Sequence, residues 1–284
     1  MTTKSILLAI IVLGIFIGIM EKVPQRSWDW FSNTSIGNQV LNYKSGNQVL
    51  PDPLRGLIDP NIKSQLTMEG VVKYTNLQRG TNGQSTLKIN AKLNAAAMAK
   101  IDDLFAQQYF EHKSPNGNTP ADIIKAQGYE YIVVGENLAL GNFKDDETLV
   151  QAWMDSPGHR ANILNHKYQE IGVAVKKGMF EGNEVWLAVQ EFGAPLSACP
   201  PANQSIKTQL DANKSLLAEY ETTLNRQKSD LDSNSFASPA EYNRAVTQYN
   251  ILVKKTRELS ERTKELVDQY NDSVNNFNSC LESN

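Results

Sequence analysis

A-W-M-D-S-P-G-H-R-A-N-I-L, residues 152–164, is the stretch from which the fold and the site can both be read. Asp146 to Met154 has the pattern of a helix that ends near Ser156-Pro157. Ser156 then caps a new helix with Pro157 at its first position, a place that tolerates the missing amide proton. His159 therefore falls in the first turn of that second helix. A helix N-terminus disfavours a protonated imidazole, so His159 is expected to be neutral and available as a ligand.

Working outward, the chain has only three histidines, and His112 lies in a second polar, turn-rich run, F-E-H-K-S-P-N-G. Between the two runs, G-E-N-L-A supplies Glu136 and Asn137. Two imidazoles and a carboxylate on separate loops suit an open metal site or an acid/base site, because zinc accepts nitrogen and carboxylate oxygen ligands and a catalytic site leaves one position free. A second reading stands beside it: His112 and His159 hydrogen-bond Glu136 and Asn137 and brace the loops, since buried polar groups need partners. The third histidine, His166, sits in an N-H-K-Y turn and reads as a surface residue.

Helical periodicity over residues 91–109, with Leu93, Ala97, Ile101, Leu104 and Tyr109 at three- and four-residue steps, predicts an amphipathic helix with His112 just past its end. Thr119-Pro120-Ala121-Asp122 predicts an N-cap and Gly128 a stop for a short helix. Ile171–Val175 and Val185–Val189 are β-branched runs separated by Gly178 and Gly182, the pattern of a hairpin with a longer loop. Helices and antiparallel strands in one unit give an α+β class, with helices packed on a sheet.

The flanks differ in kind. Ile6 to Met20 is an uncharged apolar run behind Lys4, followed by Trp28, Trp30 and Phe31. It is somewhat short against the ~20 residues a spanning helix needs, yet no small-residue cleavage site follows it. Residues 1–23 are therefore expected to be an uncleaved transmembrane signal-anchor, the alternative being a cleaved signal peptide with secretion of the rest. Either way the bulk of the chain is extracytoplasmic, and the expected location is the cell membrane, as a single-pass protein. Residues 24–60, rich in Asn, Gly, Ser and Pro, with G-N-Q-V-L at 37–41 and 46–50, read as a polar spacer that can hold short strands. A net charge of −3 provides no basic footprint and argues against nucleic acid as a partner.

No glycine follows Gly193, and Pro239 is the only proline after Pro201. Ile206, Leu210, Leu217, Leu224 and Leu231, then Tyr242, Val246, Tyr249, Val253, Leu259, Leu266, Tyr270, Val274 and Phe277, follow heptad-like spacing. Residues 200–282 are thus expected to be a long antiparallel helical hairpin of coiled-coil type, its second helix opened by the capping box Ser238-Pro239-Ala240-Glu241. Cys199 and Cys280 lie almost equidistant from that turn, so an antiparallel fold-back is expected to bring the sulfurs together, the alternative being two unrelated free thiols. A disulfide there would stabilise the long loop by about 4 kcal/mol.

The ordered motifs F-E-H-K-S-P-N-G, G-E-N-L-A, A-W-M-D-S-P-G-H-R-A-N-I-L and Y-Q-E-I-G-V-A-V closely resemble the bacterial branch of the CAP family, also called SCP-like domains. T-N-L-Q-R at 75–79 and V-W-L-A-V-Q-E-F-G at 185–193 extend the resemblance to Leu66–Gly193, within an expected domain of residues 61–195. It implies a three-layer α-β-α sandwich with a cleft lined by His112, Glu136, Asn137 and His159, Glu170 supporting, and a divalent metal such as Zn²⁺ held by His112, Glu136 and His159 in some members. A second acidic position of many relatives falls here at Ser156-Pro157, beside Asp155.

No catalytic residue is assigned. Ser114 and Ser156 read as turn and cap residues, both cysteines lie far from the motifs, and a catalytic serine or cysteine needs an oriented base. The expected function is a membrane-tethered binding module for a small molecule, lipid or peptide, with metal optional. The alternatives are a zinc-dependent hydrolase in the same cleft, with Glu136 as ligand or base, and a structural protein that self-associates through the hairpin.

Overall fold

The computed structural model describes residues 50–63, 65–233 and 235–283. All of them belong to one compact unit, Asn47–Asn284. The expected membrane anchor and most of the spacer, including both G-N-Q-V-L copies, lie outside the described residues. Among the described residues, no helix is long and apolar enough to cross a membrane.

The elements run β1 (Leu54–Arg55), α1 (Met68–Thr81), β2 (Lys88–Ile89), α2 (Ala91–Gln107), α3 (Pro120–Ala126), β3 (Tyr131–Gly141), α4 (Asp146–Asp155), α5 (Pro157–Ile163), β4 (Glu170–Phe180), β5 (Asn183–Pro195), α6 (Gln204–Ser233) and α7 (Pro239–Ser283). The five strands form one mixed sheet in the order β1-β3-β5-β4-β2. The long strands β3, β5 and β4 are antiparallel, while β1 and β2 add at the edges in parallel.

Each face of the sheet is covered by helices, because alternate residues of β3 and β5 are apolar on both faces. One face packs Ala139, Ala188, Ile171, Val173 and Phe192 against Val71, Val72, Leu149, Val150 and Trp153 of α1 and α4. The other packs Leu138, Leu140, Leu187, Val189 and Ala174 against Ala97, Ile101 and Leu104 of α2. That is the three-layer arrangement that the family resemblance implies.

Two local expectations are revised. The β4–β5 connection is a tight turn at Glu181-Gly182 rather than a longer loop, with φ of 48° and 81°, values that glycine adopts freely and that make such two-residue turns match strand twist. Gly178 is accordingly inside β4, where an added Cβ would stand 3.0 Å from the Phe105 ring. Glu136 and Asn137 sit on β3, not on a loop; the run Tyr131–Gly141 is buried almost throughout and so lacks the alternation that marks a half-exposed strand. Leu54 and Arg55, within the polar spacer, join the sheet beside Ala139 and Leu140.

The two C-terminal helices pack on each other as an antiparallel hairpin. Asn213 Nδ2 donates to Thr263 Oγ1 at 3.0 Å, and the Asn203 amide donates to Ser273 Oγ at 3.1 Å. Leu210, Leu217 and Leu224 of α6 and Thr263, Tyr270 and Phe277 of α7 are buried, one residue every two turns on each helix. At the turn, the Glu241 amide donates to Ser238 Oγ while Glu241 Oε2 accepts from the Ala237 amide. Cys199 and Cys280 are joined in a disulfide with their Cα atoms 5.7 Å apart, tying the end of the hairpin to the segment that leaves β5.

Candidate functional site

The site lies at the outer edge of β3, where its neighbour β1 pairs only at Ala139 and Leu140. Above β1 the strand's outward carbonyls are covered by side chains. Asn162 Nδ2 donates to the Glu136 carbonyl at 3.1 Å, and Trp153 Nε1 donates to the Leu138 carbonyl at 3.2 Å. His112 approaches from the α2 side of the sheet and His159 from the α5 side, so the two meet around this edge.

His112 is held from below by a lysine that sequence reasoning missed. Lys100 is fully buried, and its Nζ donates to the His112 carbonyl at 2.6 Å, the Glu111 carbonyl at 2.7 Å and the Tyr109 hydroxyl at 3.0 Å. All three ammonium protons are thereby directed to oxygens, which is what lets a charge stay buried. A signal was present: Leu93, Ala97, Lys100 and Leu104 share the apolar face of α2, and a lysine there must find internal partners.

The His112 ring makes two short contacts. Nδ1 lies 2.6 Å from Glu136 Oε1, and Nε2 lies 2.5 Å from the Pro51 carbonyl oxygen. A carbonyl oxygen only accepts, and so does a carboxylate, so satisfying both makes each ring nitrogen a donor and the ring an imidazolium. Burial opposes that charge, but the hydrogen bond and charge of Glu136 and the Pro51 carbonyl outweigh it and raise the His112 pKa.

Glu136 and Glu191 are directly opposite each other on β3 and β5, and both are fully buried. Burial first, then the charge of Glu136, pushes Glu191 well above the usual carboxylate range. As an ionised acceptor, neither oxygen of Glu191 would have a donor; the neutral acid facing the Glu136 carboxylate is the favoured form. Glu191 is the second residue that sequence reasoning missed. It lies in the quoted V-W-L-A-V-Q-E-F-G run, where its cross-strand partner depends on a register visible only in the folded sheet.

His159 behaves oppositely. It is 1% exposed, with Nδ1 2.8 Å from Ser156 Oγ and no well-formed hydrogen bond at Nε2, although the nearby Leu138 carbonyl favours its proton. Burial, followed by the charge of His112, lowers its pKa to about 4. The expected neutral state is therefore found, but burial rather than the helix terminus is the main cause. Ser156 is the N-cap residue of α5 without a side-chain cap bond, because its hydroxyl turns to the imidazole.

Asn137, on the opposite face of β3 from Glu136, belongs to a buried amide network. It donates to Gln190 Oε1 at 3.0 Å and to the His159 carbonyl at 3.3 Å, and accepts from Asn162 at 2.9 Å. Gln190 in turn donates to Thr75 of α1 at 2.7 Å. Arg79 fixes the far end of α5 through Nη1 to the carbonyls of Ile163 (2.6 Å) and Asn165 (2.9 Å). The network positions α5, and with it His159; Asn137 serves as a brace.

Glu170 is placed elsewhere. It accepts from Tyr129 at 2.8 Å and Asn90 at 3.1 Å, and it lines a groove of about 730 Å³ with Lys92 and Pro195 that none of the trio lines. Asp155 is exposed and accepts from Gln151, so it does not enter the cleft. His166 is exposed, as expected.

Residues 72–192 match the family model of the cysteine-rich secretory protein family, CAP. This segment is a CAP domain. The protein YkwD of Bacillus subtilis (strain 168) is 41% identical over 122 residues, 43% of this chain and 45% of that protein. The membrane protein YlbC of the same bacterium is 29% identical over 122 residues, covering 43% of this chain and 35% of that protein. The match thus spans less than half the length of either relative. Among solved structures, an extracellular protein containing a SCP domain from Bacillus anthracis str. Ames aligns with a TM-score of 0.39 and 26% identity, over 45% of this chain and 40% of that one.

The donors of the CAP cleft do not fit a metal as they stand. Metal ligation needs a bare ring nitrogen, and the trio leaves only His159 Nε2 without a well-formed hydrogen bond, since both His112 nitrogens are directed at acceptor oxygens and the Nδ1 of His159 is engaged by Ser156. Among the described residues, no group of three or more His, Cys, Asp or Glu side chains is arranged to hold an ion.

Proposed function

We propose that this chain is an extracytoplasmic, membrane-tethered CAP-domain binding module, whose cleft at His112, Glu136 and His159 holds a small molecule, lipid or peptide and does not turn it over. The observation that carries the reading is the His112 ring. Glu136 anchors one nitrogen at 2.6 Å, so the other is a fixed, charged donor aimed out of the cleft at a carbonyl oxygen. A charge-assisted hydrogen bond of this kind is about twice as strong as a neutral one. The favoured ligand therefore offers a carbonyl or carboxylate oxygen to His112.

Among the described residues, turnover is disfavoured by the one hydroxyl in hydrogen-bond contact with an imidazole. Ser156 contacts His159, but a base with a pKa of about 4 removes a hydroxyl proton poorly near neutral pH. Tethering follows from the apolar run Ile6–Met20 and agrees with the name of the relative YlbC.

The test is ligand profiling of the full chain, wild type and His112→Ala, with panels of peptides, lipids and carbonyl compounds. The expected result is a saturable shift of the His112 imidazole resonances and a gain in thermal stability, both absent from His112→Ala. Hydrolysis of a panel peptide or ester, dependent on stoichiometric zinc, would overturn the reading in favour of a metallohydrolase.

A further inference from the structure

A piece of the same chain lies over the trio, in which Glu136 and His159 are buried and the His112 side chain is 11% exposed. Residues 51–57 run along the outer edge of β3. The Pro51 carbonyl accepts from His112 Nε2 at 2.5 Å, and Pro51 lies against α5 at Gly158, where an added Cβ would stand 2.7 Å from Pro51 Cβ. Leu54 and Arg55 pair in parallel with Ala139 and Leu140. The Gly56 amide then donates to the Leu140 carbonyl at 2.7 Å, and the Leu57 carbonyl accepts from the Asn142 amide at 2.8 Å.

Side chains complete the fit. Leu54 packs on the core beneath the strand, the Arg55 guanidinium lies 5.1 Å from the Phe110 ring centre, and Gly56 passes so close to Phe143 that a Cβ would meet its Cζ at 2.8 Å. Main-chain hydrogen bonds along a sheet edge, with side-chain pockets beside them, are the means by which domains take up extended peptides.

We propose that the CAP cleft is a strand-addition site for an extended polypeptide segment, and that residues 51–57 are its resident intramolecular occupant. This rests on the reading of the cleft as a binding site and names the ligand class. The recognised chemistry is an extended segment with a carbonyl for His112, a proline ring for the surface at Gly158, an apolar residue for the core beneath β3 and a glycine opposite Phe143. The occupant is held by a two-residue parallel pairing, and its residues are at most partly buried, so it is built to be displaced. Covalent attachment keeps its effective concentration on the order of millimolar, and a free peptide competes only after the segment is released.

The test uses the full chain and a fluorescent peptide with the sequence of residues 49–60. Gly56→Val drives a side chain into Phe143 and expels the resident segment without touching the cleft. The expected results are loss of hydrogen-exchange protection at residues 54–57 and at Asn142, and peptide binding at least tenfold tighter than to wild type. Gly158→Ala added to Gly56→Val should reduce that binding at least tenfold, as should a peptide carrying the same Gly56→Val change. A protease site introduced at 61–65 gives an independent arm, in which the severed segment should exchange with labelled peptide.

When residues 54–57 lose protection in Gly56→Val, equal peptide binding by it and by wild type overturns the proposal, as does a released or severed chain that binds no peptide. If residues 54–57 stay protected in Gly56→Val, the severed chain decides by exchanging the segment or not. A lipid or small molecule that binds wild type and Gly56→Val equally at His112 would leave the cleft reading intact and sink this one alone.

Discussion

The neutral, buried His159 should make the CAP domain sensitive to mild acid, and the size of the effect follows from its surroundings. An unfolded histidine titrates near 6.5, whereas burial and the charge of His112 bring His159 down to about 4 in the folded chain. Its folded-state pKa is depressed, so the native state is unpenalised above the unfolded value and loses stability as pH falls from 6.5 towards 4. Below that window both states are protonated and the loss levels off. At 1.36 kcal/mol for each unit of difference, the loss amounts to roughly 3 kcal/mol, a large fraction of a typical domain's stability. Little solvent screening applies to a side chain that is 1% exposed.

His159→Gln removes the titration while keeping a polar group beside Ser156. Urea unfolding of the full chain, followed by tryptophan fluorescence at steps from pH 7 to pH 4, should show the wild type losing about 3 kcal/mol more than the variant across this interval. Glu191 and His112 have the opposite sense: their raised folded-state pKa values make their contributions full at low pH and lost as pH rises through those values. Both groups remain in the variant, so the difference between the two proteins isolates His159. Parallel pH profiles, or an NMR titration of the His159 ring with a midpoint near 6.5, would refute the argument.

Two further outcomes follow from the same physics. Glu191→Gln keeps a donor towards Glu136 and removes the proton that Glu191 loses at high pH. It should lose less stability than wild type as pH rises above the unfolded value of 4.5, read as urea midpoints at steps of increasing pH, and an equal decline in both proteins would contradict a protonated Glu191. Replacing Cys199 and Cys280 together by serine opens a loop with a sequence separation of 81. The hairpin should lose about 4 kcal/mol by the chain-entropy account, seen as faster exchange at the α6–α7 seam with the CAP core unchanged, and unaltered exchange in both parts would count against it.

Elements that depend on local chemistry were legible in the sequence. Thr119 is the N-cap expected of T-P-A-D, with Asp122 bonding back to it, Pro157 opens α5, and the heptad leucines form the hairpin seam, because capping and periodicity act between residues a few positions apart. The strand carrying Glu136 was not legible as a strand, since burial on both faces erases its alternation. The Glu181-Gly182 turn was hidden by Gly178, whose role is to let Phe105 approach β4.

The same division holds at the site. By itself, the sequence determined that His112, Glu136 and His159 belong together, that the helices and strands form an α+β domain, and that two cysteines flank a helical hairpin. These rest on motif spacing and short-range periodicity, which survive without knowledge of the fold. Only the tertiary structure decided that Lys100 pins the His112 loop, that Glu191 faces Glu136 across two strands, that Glu170 lies in a different groove, and that Pro51 covers the histidines. The reason is physical: burial, strand register and contacts between residues about 60 apart in the chain set which nitrogen carries a proton and which oxygen meets it, and none of these quantities exists until the chain has folded.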